Sequence, residues 1–152
     1  MKKLVIMLAM ILGASALYAQ SEADIWELAK SDLKTEYKTI IIETMLFSEE
    51  EAAAFWPVFN VFIDNKNKLL DEDMKLLKDY AENFDTLDDA KIDELVNRAM
   101  KLDSERLKLR KSYYKSLGKI LPKRKAGKLY QLDNQISTLL DFQIISQVPI
   151  LE

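Results

Sequence analysis

Helix-breaking residues are almost absent from most of this sequence. Between residue 20 and the C-terminal tail there are only two glycines, Gly118 and Gly127, and two prolines, Pro57 and Pro122. Apolar residues recur at steps of three and four, and the alternation that is typical of strands is missing. We therefore predict an all-α protein with four helices, two of them long.

The apolar seams place these helices along the chain. The first spans about residues 22–45, the second runs from Ser48 to about residue 83, the third ends near residue 120 and the fourth follows. Three methionines lie in or beside the seams, and we interpret them as core residues. They are Met45, Met74 and Met100. Phe55 and Trp56, beside Pro57, are interpreted as core aromatics, with a binding groove at a proline kink as the alternative.

Polar residues mark the helix starts. Ser48 and Glu51 form a predicted capping box, in which each side chain bonds the backbone N–H of the other residue. Thr86 opens the segment that is predicted to cap the third helix. Pro122 suits the first turn of the fourth helix, because its missing N–H has no partner to lose there.

The predicted lengths constrain the shape of the molecule. A helix of about 33 residues is roughly 50 Å long, whereas a compact domain of this size has a radius of gyration of only about 14 Å. We therefore expect an extended hairpin or cradle arrangement. A second copy of the chain is the simplest cover for the remaining apolar surface, so we expect a homodimer.

The first nineteen residues have the layout of a secretory signal peptide. Two lysines precede an unbroken apolar run over residues 4–12, and small residues follow as far as Ala19. We place cleavage after Ala19, with an earlier site at Ala16 as a competitor. An uncleaved membrane anchor is the alternative, although the run is shorter than the roughly 20 residues that a spanning helix needs. We expect one exported domain over residues 20–152, without stable membrane insertion.

The composition excludes several chemistries. The sequence contains neither cysteine nor histidine, so thiolate ligands, disulfides and nucleophiles that depend on histidine are ruled out. The acidic run Asp71-Glu72-Asp73 lacks the ligand spacing of a calcium loop and is interpreted as a solvated face. We predict no enzyme activity, no cofactor and no metal site.

Charge is segregated along the chain. Residues 20–100 include 9 basic and 20 acidic residues, whereas residues 101–128 include 11 basic and 2 acidic residues. The basic segment, residues 106–128, is interpreted as a protein-binding surface, because cations speed encounter and their apolar stems add contact. The candidate binding residues are Arg106, Arg110, Lys111, Tyr114, Lys115, Lys123, Arg124, Lys125 and Lys128. A solubilising helix face, or neutralisation by the acidic part of the chain, is the alternative.

Several motifs resemble those of the Spy/CpxP-like periplasmic proteins, whose signature is a repeated Leu-Thr-x-x-Gln motif at helix starts. The run over residues 47–51 matches the first copy loosely, and residues 121–125 occupy the place of the second. A branch of this family, whose members are often labelled sensors of extracytoplasmic sigma factors, is closer. It has Phe-Trp-Pro, as at residues 55–57, and a Leu-Pro-x-(Lys/Arg)-x-Ala-x-x-x-Tyr-Gln-Leu-(Glu/Asp)-Asn run, as at residues 121–134. Both terminal glutamines of the repeated motif are missing here.

The resemblance implies a cradle-shaped helical dimer in the periplasm. One implied function is that of an ATP-independent chaperone-like holdase, which binds unfolded or misfolded envelope proteins during envelope stress. The alternative is a sensor that binds one specific signalling protein. Nucleic acid would also bind a basic segment, but the predicted secretory signal leads us to expect no nucleic-acid partner.

Overall fold

The chain is helical through nearly all of the part that the computed structural model describes, which is residues 19–146 and 148–151, with side chains from Asp24 onward. The helices there are α1 (Ala19–Met45), α2 (Glu49–Asn83), α3 (Asp89–Ile120) and α4 (Lys123–Ile145), with a 3₁₀ turn at Phe84–Thr86. These residues include no strand, so the prediction of an all-α protein with four helices is confirmed. The predicted signal peptide lies outside the described residues except for Ala19.

The chain divides into two compact units. One unit is Phe47–Tyr130, which contains α2, the 3₁₀ turn, α3 and the beginning of α4. The other unit contains, among the described residues, α1 with Leu46 and the chain from Gln131 onward. Each unit has buried residues of its own.

In the Phe47–Tyr130 unit, α2 and α3 pack against each other in antiparallel directions. Phe62 of α2 stacks on Tyr113 of α3, with ring centroids 3.8 Å apart and an interplanar angle of 7°. Asp79, near the end of α2, contacts Lys91, near the start of α3. The core of the unit consists of Phe55, Phe59, Phe62, Ile63, Met74, Leu95, Leu102, Tyr113, Leu117, Leu121, Ala126 and Leu129.

The capping box that begins α2 has both of its hydrogen bonds. The Glu51 N–H donates to the Ser48 hydroxyl at 3.2 Å, and the Ser48 N–H donates to the Glu51 carboxylate at 2.9 Å. These bonds satisfy donors that a helix start otherwise leaves without partners. The sequence of this turn therefore fixes where α2 begins.

The cap of α3 is Asp88, two residues after the predicted Thr86. The Lys91 N–H donates to the Asp88 carboxylate at 2.8 Å. Thr86 ends the 3₁₀ turn, and its hydroxyl donates instead to the Asn83 carbonyl at 3.3 Å. The prediction for Thr86 is wrong because one tight turn extends α2 before the chain leaves the helix.

Pro122 lies immediately before α4. Its carbonyl accepts a hydrogen bond from the Ala126 N–H at 3.0 Å, and the assigned helix starts at Lys123. One residue earlier, the Leu121 N–H donates to the Leu117 carbonyl at 2.9 Å and completes α3. The link between α3 and α4 is therefore only two residues long.

The three methionines have different environments. Met45 and Met74 are buried as expected, but Met100 is 63% exposed, so the interpretation of Met100 as a core residue is wrong. The reason is helical geometry: Met100 lies two residues before buried Leu102, which places it about 160° away around α3.

In the second unit, Tyr37, Ile41 and Met45 of α1 are buried. The Tyr37 hydroxyl donates to the carboxylate of Asp133 in α4 at 2.9 Å, and this carboxylate side chain is almost completely buried. The bond supplies this buried carboxylate with a donor, and without one the buried acceptor would destabilise the unit.

Leu46 directly follows the end of α1 and lies in the left-handed region of backbone conformation. Its φ is 47°, and its side chain is 80% exposed. An L-residue in this conformation costs roughly 1–2 kcal/mol, a cost that glycine avoids. Because the exposed side chain contributes little packing, the strain is the main effect of this residue.

We expect Leu46→Gly to be more stable than Leu46→Ala by about 1 kcal/mol, because both remove the side chain and only glycine removes the strain. Urea denaturation followed by circular dichroism measures the free energy of unfolding of each variant. Equal stability of the two variants would contradict a strained Leu46.

Candidate functional site

The basic segment, residues 106–128, lies within the Phe47–Tyr130 unit and spans the end of α3 and the start of α4. Its inward side is apolar: Leu117 and Ala126 are completely buried, and Leu121 is nearly so. These residues anchor the short link between the helices. The charged residues of the segment are thus attached to a packed part of the unit.

Arg106 and Lys125, which are among the nine candidate binding residues, have acidic partners inside the unit. Arg106 forms an ion pair with Asp73 of α2 and another, at 2.6 Å, with Asp103 one turn away. Lys125 of α4 forms an ion pair with Glu51, and its ammonium lies 5.8 Å from the centre of the Phe47 ring. Arg106 and Lys125 therefore hold helices together, and neutralisation by the acidic part of the chain applies at these two positions.

Asp73 shows the same effect from the acidic side. The sequence interpretation of residues 71–73 as a solvated face is wrong for Asp73, whose side chain is only 16% exposed in its ion pair with Arg106. Its neighbour Glu72 fits the expectation better, because its side chain is half exposed and pairs with Lys75 at 2.6 Å on the same helix.

The other candidate residues are more open to solvent. Arg110 is half-buried, and both Arg110 and Lys128 have a partner within the protein. The remaining cations are exposed, and among the described residues none of them shows a hydrogen bond or ion pair. They are Lys111, Lys115, Lys123 and Arg124, together with the adjacent Lys119.

Tyrosines differ sharply in exposure within the basic segment. Tyr113 is buried against Phe62 and belongs to the core. Tyr114, the next residue, is exposed, and its ring meets that of exposed Tyr130 edge-on, with centroids 5.9 Å apart. An exposed aromatic pair beside exposed cations can make both apolar and charged contacts with another protein.

A second cluster of charges joins the end of α2 to the start of α3. Asp79 accepts hydrogen bonds from Lys91 and Arg98, and both cations also contact Glu94. The Lys91 ammonium, followed by the Arg98 guanidinium, lowers the pKa of Asp79, and Asp79 in turn raises the pKa of Lys91. This cluster leaves none of its four members as a free binding charge.

Glu51 combines helix capping with cross-helix pairing. The Lys125 ammonium, followed by the hydrogen bond from the Ser48 backbone, lowers the pKa of the Glu51 carboxyl below its ordinary value of 4.5. A glutamine would still cap the helix but could not form the ion pair with Lys125. Glu51 therefore links the starts of α2 and α4.

The sequence did not reveal the polar residues that are buried in the unit of α1 and Gln131 onward. Asp133 and Ser137 lie one turn apart on the buried side of α4, and Lys30 is buried in α1, where it pairs with Glu27 at 2.5 Å. Asp133 is the acidic residue of the Tyr-Gln-Leu-Asp-Asn run. The available signal was its spacing, since Asp133 lies four residues after apolar Leu129 and therefore on the same helix face.

The two aromatic residues beside Pro57 differ in burial. Phe55 is fully buried, as the core interpretation requires, and Trp56 is half-buried, with its ring centroid 5.0 Å from that of Phe55.

The described residues contain no group of three or more acidic side chains suited to hold a metal ion. None of the helices in the described part of the chain is both long and apolar enough to cross a membrane.

Comparisons with family models, curated proteins and solved structures found no match.

The Glu51–Lys125 pair gives stability a defined dependence on pH. Because the folded-state pKa of Glu51 is lowered, the stabilisation is complete above about pH 4.5 and is lost as the pH falls through the folded-state value. We expect Glu51→Gln to unfold at a lower temperature than wild type at pH 7 and to lose less stability on acidification. Thermal melts between pH 7 and pH 3 measure both effects.

Glu50→Gln is the matched control for this experiment. It removes the same charge from the same first turn of α2, but Glu50 is exposed and is not part of the capping box. If Glu51→Gln and Glu50→Gln show the same acid profile, the Lys125 pair is not the source of the dependence.

Proposed function

We propose that this protein is a periplasmic protein-binding protein that acts as an ATP-independent, chaperone-like holdase for unfolded or misfolded envelope proteins. The observation that supports this proposal most is the surface of the basic segment. Exposed cations on α3 and α4 adjoin the exposed Tyr114–Tyr130 pair. Such a surface attracts acidic segments at a distance and gives them apolar contact on arrival.

The supported binding residues are fewer than the sequence prediction names. Arg106 and Lys125 have acidic partners within the unit, so truncating them would disturb packing as well as binding. The proposal therefore rests on Lys111, Tyr114, Lys115, Lys123 and Arg124. The sequence resemblance to Spy/CpxP-like proteins, strongest at residues 55–57 and 121–134, supports the cellular location and the class of function.

The proposed assembly is a homodimer with the extended hairpin or cradle arrangement. Its support is the apolar surface at the end of α4, where Leu139, Phe142 and Ile145 are all exposed. A second copy would remove this surface from water. We propose no catalytic role for the chain, because neither histidine nor cysteine is present to act as base or nucleophile.

The alternative function, a sensor that binds one signalling protein, also has an observation in its favour. Exposed apolar residues on α3 are regularly spaced, with Met100, Leu107 and Tyr114 seven residues apart. Regular spacing suits one partner of defined shape better than many unfolded chains.

Suppression of insulin aggregation tests the holdase proposal. Dithiothreitol triggers the aggregation, and the chain has no cysteine with which the reductant could react. We expect the purified protein to suppress light scattering without ATP, less effectively as salt rises. The double variant Lys111→Gln/Lys115→Gln should need about two- to fivefold more protein for half suppression, because two attractive charges are lost.

The matched control is Lys68→Gln/Lys75→Gln, which removes two exposed lysines from α2. Scattering of insulin alone at each salt concentration provides the reference. If wild type fails to suppress aggregation at several-fold molar excess, the holdase proposal is wrong. An equal loss in both double variants would assign the effect to net charge and not to the basic segment.

A further inference from the structure

The helix α3 has a second apolar face in addition to the one that packs on α2. Four of its apolar side chains are 44–63% exposed: Val96, Met100, Leu107 and Tyr114. At about 100° per residue they lie within roughly 40° of one another around the helix axis. We call these four residues the α3 ridge. It is separate from the core face, which contains Leu95, Leu102 and Tyr113.

Lysines follow one side of the α3 ridge. Lys101, Lys108, Lys111, Lys115 and Lys119 all project about 60–140° around the helix from Val96, and all five are exposed. Lys101 has a distant contact with Glu105, at 4.0 Å. This lysine edge gives the apolar line a positive flank from Lys101 to the end of the ridge at Tyr114.

The ridge has the dimensions of a helix-binding surface. From Val96 to Tyr114 it extends about 27 Å, which is the length of roughly five helical turns. Tyr130 of α4 adds a second ring beside Tyr114 at its end. Apolar residues seven apart repeat in register with the seam of a partner helix, and flanking charges select the partner's sign.

Charge distribution favours a protein helix over a lipid surface. Asp103 lies beside the ridge, about 40–60° from Met100 and Leu107, and its carboxylate accepts a hydrogen bond from Arg106 at 2.6 Å. An anionic lipid surface would repel this carboxylate, and a line one residue wide offers little apolar area to insert. A helix can place a neutral or basic residue opposite Asp103 and carboxylates opposite the lysines.

We propose that the α3 ridge binds an amphipathic helix of a partner protein, with apolar residues at heptad spacing and acidic residues along the edge that faces the lysines. This surface goes beyond the holdase function, because it selects a helical segment of defined charge pattern. The contact resembles one side of a coiled coil, in which side chains of the partner pack between the exposed residues of α3.

A synthetic peptide tests the proposal directly. The peptide has three heptads with leucine at both seam positions, glutamate on the flanks and a fluorescent label. We expect fluorescence anisotropy to show saturable binding to the full protein that weakens as salt rises. A scrambled peptide of the same composition, and a version with lysine in place of glutamate, should bind at least about tenfold more weakly.

Variants locate the binding surface. Met100→Ser and Leu107→Ser should each weaken binding about tenfold, because each removes an apolar side chain that the peptide would bury. Val61→Ser is the matched control: Val61 is 64% exposed on α2 in the same unit but lies off the ridge. Circular dichroism checks that all three variants keep the helical content of wild type.

Several results would overturn the proposal. These are no peptide binding, equal binding of the scrambled peptide, or unchanged affinity in the two ridge variants. Sedimentation with anionic vesicles in place of peptide binding would assign the ridge to a lipid surface. A dimer that dissociates only in the ridge variants would assign it to a second copy. Insulin aggregation remains a separate readout, so the holdase proposal can fail while the ridge proposal stands, and the reverse.

Discussion

The antiparallel contact between α2 and α3 is the interaction on which the rest of the Phe47–Tyr130 unit depends. Phe62 stacks on Tyr113 in its interior, and ion pairs join the two helices on either side of the Met74 region, through Asp73 with Arg106 and Asp79 with Lys91. Two helices alone bury little of each other, so the unit combines apolar packing with partly shielded charges. Because these charged residues pair with each other across the two helices, they are not available to bind another protein.

A helix pair of this kind leaves much of each helix surface uncovered. One face of α3 packs in the core and another carries the lysines. The α3 ridge lies next to the lysines and apart from the core face. An apolar side chain that faces water does not contribute to the stability of the fold. Several such side chains aligned along one face are a feature of interaction surfaces. The same arrangement of residues therefore explains how the unit is stabilised and why the proposed binding surface stays exposed.

Most local features could be predicted from the sequence, although the cap of α3 was placed at Thr86 instead of Asp88, and contacts between distant residues could not be predicted. The helices and the Ser48–Glu51 capping box depend on residues within a few positions of each other, and their positions were found. The ion pairs of Arg106 and Lys125 have partners 33 and 74 residues away along the chain, so both cations read as free binding charges. Met100 read as a core residue because one seam was assumed for a helix that has two apolar faces. Burial of Asp133 likewise depends on Tyr37, far along the chain.

Hydrogen–deuterium exchange of the full protein tests the central role of the α2–α3 contact most directly. Amides protected by packing exchange only when the structure around them opens. We predict the slowest exchange in the peptides of α2 that contain Phe59–Ile63 and in those of α3 that contain Tyr113 and Leu117, and we expect exchange in both segments to accelerate together when denaturant is added. Fast exchange at these positions, with the slowest amides in α1, would contradict it.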